Sequence, residues 1–344
     1  MSSAPGFARP RSSLIPRVSP ARFRQLALLA AVAYAALIVT GGAVRLTDSG
    51  LGCADWPTCS AGHLTAAASF HPLVEFTNRC ISVVVTVATI LVFLAALARV
   101  PRRKDLVWLA GGLVAGLLGQ IVLGGLVVLF QLNPYLVALH FLLTLAILAN
   151  ALVMWCRAGS SAAPARPMVD PTLVWLGRLL VGATCLVVTV GTVVSGAGPH
   201  AGGKGAKRIG IAFESIAQLH SDVALFLIGL TVASVFAFRQ ANAPRPVQRR
   251  SQLMLEVMAL QGTLGYTQYF LHDAAGVIEL HLLGATTVFS AVTLFYLGLF
   301  ERQPETLVRP PTGGRPTGVV VAGAAGGAGT LVAPAPVLER EDSR

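Results

Sequence analysis

The chain has 344 residues, of which 54% are hydrophobic and 12% are charged, and its mean hydropathy is +0.70. This composition excludes an ordinary water-soluble domain and is typical of a polytopic membrane protein. The formal net charge is +11, but the arginines and lysines lie in short segments between apolar runs, where the positive-inside rule accounts for them. We therefore expect no nucleic-acid partner.

Apolar segments long enough to cross a membrane recur along the chain. We predict eight transmembrane helices, at roughly 25–45, 73–98, 106–130, 136–157, 173–196, 213–238, 253–271 and 276–300. The arginine-rich segments before the first helix and after the second, fourth and sixth then share one face, which the positive-inside rule makes cytoplasmic. We expect a multi-pass protein of the cell membrane, surrounded by lipid, with both termini in the cytoplasm.

The predicted domain organisation has five parts. They are a cytoplasmic N-terminal arm (1–24), a first four-helix half (25–157), a cytoplasmic linker (158–172), a second four-helix half (173–300) and a disordered cytoplasmic tail (301–344). The tail is rich in Gly, Ala, Pro and Thr; Gly and Ala contribute little to membrane insertion, and Pro334 and Pro336 interrupt its uncharged run. We therefore predict a disordered tail and not a ninth span.

An internal repeat relates the two halves. The matching residues are Gln120, Gly124 and His140 in the first half and Gln261, Gly265 and His281 in the second. Both sets have internal spacings of 4 and 16 and are offset by 141 positions, and an offset of 142 places His220 opposite Asn78. Since each half has an even number of helices, the sequence predicts an all-α fold of two four-helix bundles related as parallel repeats.

The repeat places four polar residues at one depth. Asn78, His140, His220 and His281 each lie about five to seven residues inside a helix that enters from the outer face, or roughly 8 to 10 Å. Two histidines at equal depth on different helices can bind opposite faces of a flat metal macrocycle, as axial haem ligation requires, and His220 and His281 form such a pair. The alternative is that each histidine only hydrogen-bonds a neighbouring helix.

The cysteines divide into two groups. Cys53 and Cys59 are the only ones in an outer loop, where oxidation is permitted, and their spacing allows a disulfide. Cys80, Cys156 and Cys185 lie in helices or at helix ends, and we expect them to be inert packing residues.

Several segments resemble the haem A synthase family. They are the loop from Gly41 to Cys59, the start of the second helix (Glu75-Phe76-Thr77-Asn78-Arg79), the Gly-Pro-His element at 198–200 and the repeated histidines. The resemblance implies an oxidoreductase that converts a methyl group of haem O to the formyl group of haem A for assembly of terminal cytochrome oxidases. A haem O synthase would supply the substrate; the electron donor is unknown.

The resemblance also implies iron ligands. His220 and His281 would hold the iron of a haem b cofactor, and His140 would bind the iron of the substrate haem in the first half. The family's usual Glu-x-x-His-Arg carries Asn78 in place of the histidine, and asparagine is a poor iron ligand. Either the substrate iron is bound on one face only, or His63 or His71 from the outer loop supplies the second ligand.

The resemblance gives catalytic roles to Glu75 and Arg79. Glu75 could relay protons or stabilise positive charge during oxidation, while its structural alternative is to complement the end of the second helix. Arg79 pairs either with Glu75 or with a haem propionate, and Arg45 either holds a propionate of the substrate haem or extends to the membrane surface. The cysteine pair serves redox coupling or haem handling, or only staples the loop.

Two other functional classes stay open at this stage. One is a bis-histidine transmembrane cytochrome carrying electrons from quinol, although every candidate ligand lies on the outer side. The other is a haem-handling transporter, which acidic residues deep in the helices would favour; the sequence offers chiefly Asp222. His200 is expected to be an interfacial polar residue and not a ligand.

Overall fold

The computed structural model describes residues 17–53, 55–59, 62–200, 202–203 and 206–304. The helices in this part of the chain are α1 (Pro20–Leu46), α2 (Phe70–Ala98), α3 (Lys104–Leu129), α4 (Pro134–Ala158), α5 (Pro171–Ala197), α6 (Phe213–Gln240), α7 (Arg245–Phe270) and α8 (Ala275–Leu297). Two short strands, β1 (Arg166–Pro167) and β2 (Phe300–Glu301), accompany them. Eight helices are therefore confirmed as helices, at the places where the sequence predicts them.

Local sequence signals explain where several helices begin. Pro20, Pro134 and Pro171 each open a helix, at a position where the missing N–H would have had no partner within the helix. Before α1, the Ser19 side chain accepts a hydrogen bond from the Arg22 N–H at 3.3 Å, and before α4 Asn133 caps in the same manner.

Seven of the eight helices are long and apolar enough to cross a membrane, as befits a multi-pass membrane protein. The exception is α7, so the membrane span predicted over 253–271 is not among the candidate spans of the structure. It begins with Arg245, Arg249 and Arg250 and continues with several glutamines and threonines. The segment forms a helix, but it is too polar to qualify as a membrane span.

Consecutive helices pack side by side, and the first and last helices of each predicted half also touch: α1 contacts α4, and α5 contacts α8. Buried side chains of α1 to α4 form one apolar core, while those of α5 to α8, with Ala243 and Leu299, form another. The α4 and α8 helices contact each other, as do α1 and α8 and also α4 and α5. We call the end that carries His140, His220 and His281 the histidine end, and the opposite one the arginine-rich end.

At the arginine-rich end, the segment after α4 pairs with the segment after α8. Residues 166–167 pair antiparallel with residues 300–301, and Ser160 forms a bridge with Pro304. The predicted linker is thus held against the second half, together with the first four residues of the predicted tail. Residues 1–16 and 305–344, which include most of the predicted arm and tail, lie outside the described residues.

Candidate functional site

The repeated Gln, Gly and His residues occupy matching positions in space. Gln120 Nε2 donates to the His140 carbonyl at 2.9 Å, and Gln261 Nε2 donates to the His281 carbonyl, also at 2.9 Å. The glycine of each set lies against the imidazole: a Cβ atom added at Gly124 would be 3.4 Å from His140 Cε1, and one added at Gly265 would be 3.2 Å from His281 Cε1. The absence of a side chain on each glycine leaves room for the ring on the next helix.

His220 and His281 face each other across the second half. Their ring centroids are 6.3 Å apart and their planes make an angle of 64°. His220 also lies against a glycine, because a Cβ atom added at Gly191 would be 3.0 Å from its Cε1. The Nδ1 atoms of both rings are buried and make no hydrogen bond among the described residues, although the Val187 backbone interacts with the His220 ring.

This pair fits two axial ligands of one metal ion. Two imidazole–metal bonds of about 2 Å each, placed in line, separate the ring centroids by about 6 Å. In the described part of the chain, no three His, Cys, Asp or Glu side chains gather as a metal site. Two imidazoles at this separation suit an ion whose other ligands come from a macrocycle.

The first half differs where Asn78 replaces histidine. Asn78 Oδ1 accepts a hydrogen bond from Thr40 Oγ1 of α1 at 2.9 Å. Gly41, beside Thr40, has open space where a Cβ atom would point, whereas Gly191 has the His220 ring there. His140 keeps a buried Nδ1 with no hydrogen bond among the described residues. The shorter asparagine thus leaves a gap beside α1, and no hydrogen bond or ring contact of the described residues joins it to His140.

Glu75 and Arg79 organise the outer loop. Glu75 is only 5% exposed, and its Oε2 accepts from the Cys53 backbone N–H at 2.8 Å. Its Oε1 accepts from Arg79 Nη2 at 2.6 Å and Nε at 3.1 Å. Arg79 Nη1 also donates to the carbonyls of Asp55 and Thr58, at 3.2 and 3.0 Å. Arg79 thus forms an ion pair with Glu75, one of the two partners considered for it.

The loop between Cys53 and Cys59 packs on α3 near the glycine that lies against His140. The predicted disulfide joins the two cysteines, while Cys80, Cys156 and Cys185 are free. Within the loop, Trp56 lies on α3, because a Cβ atom added at Gly125 would be 3.0 Å from its indole Cδ2. Gly125 directly follows Gly124, the glycine that lies against His140, so the loop contacts α3 at the level of that histidine. Sequence reasoning missed Trp56, whose only signal was an aromatic residue between two cysteines.

The other candidates have separate partners. Arg45 Nη2 donates to the Ser195 carbonyl at the end of α5, which leaves its buried Nε without a hydrogen bond in the described residues. His71 Nδ1 lies 3.1 Å from Ser49 Oγ, and the exposed His63 contributes its backbone carbonyl to the Cys59 N–H. His200 Nε2 lies 3.1 Å from the Asp273 carbonyl, in keeping with an interfacial polar role.

Sequence reasoning also missed Glu279, two residues before His281. Both of its carboxylate oxygens are buried and have no hydrogen-bond partner among the described residues. The side chain lies against α1, where a Cβ atom added at Gly42 would be 2.9 Å from Glu279 Oε2. Asp222, the acid singled out from the sequence, is exposed and accepts from Gln218 at 2.8 Å.

Comparison with known proteins agrees with these features. The family of cytochrome oxidase assembly proteins called COX15-CtaA matches residues 24–69 and 64–202, about half of the chain. A heme A synthase of Exiguobacterium sibiricum is 31% identical over 135 residues, 38% of this chain and 46% of the relative. A heme A synthase of Staphylococcus saprophyticus is 28% identical over 137 residues, 40% of this chain and 45% of the relative.

A heme A synthase of Lysinibacillus sphaericus is 28% identical over 135 residues, 39% of this chain and 44% of the relative. The chain thus spans less than half the length of these relatives. The family match covers α1 to α5 with the disulfide loop, Glu75, Arg79 and His140, and it confirms the resemblance seen in the sequence. The chain belongs to the COX15-CtaA family of cytochrome oxidase assembly proteins.

Proposed function

We propose that the chain is a haem A synthase, which oxidises a methyl group of haem O to the formyl group of haem A for cytochrome oxidase assembly. The observation that carries this proposal is the facing pair His220 and His281, 6.3 Å apart, in a family of cytochrome oxidase assembly proteins. Relatives named heme A synthase support the choice of reaction.

The two halves act as parallel repeats with different tasks. The matching hydrogen bonds from Gln120 to the His140 carbonyl and from Gln261 to the His281 carbonyl support this relation. In the second half, His220 and His281 would hold the iron of a resident haem b. When bound, that group supplies one-electron redox chemistry.

The first half receives the substrate. His140 would bind the iron of haem O, and Asn78, whose side-chain oxygen is bonded to Thr40, would not act as a second ligand. Glu75 and Arg79 act beside the substrate: Arg79 balances the carboxylate charge, so that Glu75 can hold or pass a proton during the oxidation. Arg45, with its spare Nε, attracts a haem propionate.

The outer loop limits access to this site. Arg79 and Glu75 hold the loop by three of its backbone groups, and Trp56 lies over α3 beside the glycine that contacts His140. Such a cover excludes water from the reacting methyl group and still allows entry of a large flat substrate when the loop shifts.

The arrangement in the membrane follows from the charges. The arginine-rich end faces the cytoplasm by the positive-inside rule, and the histidine end faces outward. A haem O synthase in the same membrane supplies the substrate.

Expression in cells that make haem O but no haem A tests the reaction. Chromatography of extracted haems should show haem A when this chain is present and haem O alone when it is absent. Extracts with unchanged haem O in the presence of folded protein would reject the proposed reaction. A His140→Ala variant serves as the matched control and should accumulate haem O.

A further inference from the structure

Arginines from both halves converge at the arginine-rich end. They are Arg24 of α1, Arg103 before α3, Arg157 of α4, Arg250 of α7 and Arg302 after α8. The Arg24 side chain lies against Gly159 at the end of α4, and the Arg250 side chain lies against Gly298 at the end of α8. Arg302 also interacts with Arg103 and Arg157. We call these five residues the arginine seam, because they lie near the arginine-rich ends of α4 and α8.

The seam carries more positive charge than its acidic partner balances. Asp105 accepts from Arg103 Nε and Nη2, at 2.9 and 2.7 Å, and lies 3.8 Å from Arg157. Arg24 stacks on Trp155 at 5.7 Å.

Arg250 Nη1 donates only to the Gly298 carbonyl, at 3.2 Å. No ion pair within the described ranges includes Arg24, Arg250 or Arg302. Arg24 and Arg250 are exposed, so an anion at the surface can reach their guanidinium groups.

Apolar surface continues directly from these charges into the membrane region. Leu28, one helical turn beyond Arg24, is 40% exposed, and Leu253, one turn beyond Arg250, is 56% exposed. A free anion would make no contact with those leucines, whereas the acyl chains of a lipid would cover them. Membrane orientation requires basic residues on one face but does not require arginines of both halves to meet around one helix pair.

We propose that the arginine seam binds the phosphate head group of an anionic phospholipid, with the acyl chains along Leu28 and Leu253. Arginine suits this ligand because its planar fork matches phosphate oxygens. The bound lipid links the two halves at the end opposite the histidines. The site is independent of the haem chemistry proposed above.

Thermal unfolding of the delipidated full-length protein in neutral detergent tests the site. The probes are phosphatidylglycerol, phosphatidylcholine and inorganic phosphate, each added separately. Phosphatidylglycerol should raise the Tm, and the other two should not. An equal rise with phosphatidylcholine would overturn the charge argument, and an equal rise with inorganic phosphate would show a free-anion site and overturn the lipid assignment.

Matched variants locate the effect. R24Q/R250Q should lose at least half of the Tm rise. R22Q/R249Q removes the same charge from neighbouring exposed positions and should keep it. If both variants lose the rise equally, or if R24Q/R250Q keeps it fully, the seam is not the site. If R24Q/R250Q does not fold, R24K/R250K replaces it; lysine lacks the planar fork, so a reduced rise supports the site and an unchanged rise contradicts it.

Discussion

Glu75 Oε2 accepts a hydrogen bond from the Cys53 backbone N–H at 2.8 Å, which joins the start of α2 to the disulfide loop. The same carboxylate pairs with Arg79. Glu75 is thus part of the loop's support as well as the proposed proton-handling group, and the two roles can be separated by experiment.

Glu75→Gln should keep an acceptor for the Cys53 N–H but lose the charge opposite Arg79. We expect a loss of roughly 1 to 3 kcal/mol in the free energy of unfolding, because a buried charged hydrogen bond is weakened. The extracted haems should be haem O or its hydroxylated form with little haem A, while the haem b spectrum persists. Glu256→Gln, at an exposed position on α7, is the control. A normal haem A yield would remove Glu75 from the catalytic residues.

Cys53 and Cys59 should be oxidised to one another in the isolated protein. Mass spectrometry after alkylation without reductant checks this, and modification of both thiols would contradict it. Cys53→Ser should lower the free energy of unfolding by about 2 kcal/mol, the usual effect of opening a short loop, and should reduce haem A formation only in part. Cys80→Ser, which removes a free exposed thiol, should change neither quantity.

The glycines under the histidines should be intolerant of a side chain. Gly191→Ala and Gly265→Ala would place a methyl group 3.0 and 3.2 Å from the Cε1 atoms of His220 and His281, so each ring must shift. We expect a weaker or altered low-spin haem signal in electron paramagnetic resonance. Gly41→Ala meets open space and is the control. If a protein carrying both Gly191→Ala and Gly265→Ala gave an unchanged signal, the positions of the His220 and His281 rings would not be critical for haem binding.

Parts of this fold and site could be predicted because the two halves of the sequence repeat the same spacing of Gln, Gly and His residues. The shared spacing around His140 and His281 reflects one local structure built twice, and the facing of His220 and His281 followed from equal depth. Glu279 was missed because its first-half counterpart is Ala138, and its burial depends on how α8 packs against α1.

Other features depend on contacts between distant segments. The pairing of residues 166–167 with 300–301 involves strands of two residues, one containing proline, which carry no alternating pattern. The shortfall of α7 as a span reflects polar residues whose cost in a membrane depends on the helices packed around them.

The division of labour between the halves is tested most directly by the low-spin haem content of three purified variants, His220→Ala, His281→Ala and His140→Ala. The low-spin haem b signal should disappear in the first two, because each removes one of the two facing imidazoles, and should persist in the third, where only the substrate ligand is lost. A wild-type signal in both His220→Ala and His281→Ala, or its loss in His140→Ala alone, would contradict the account.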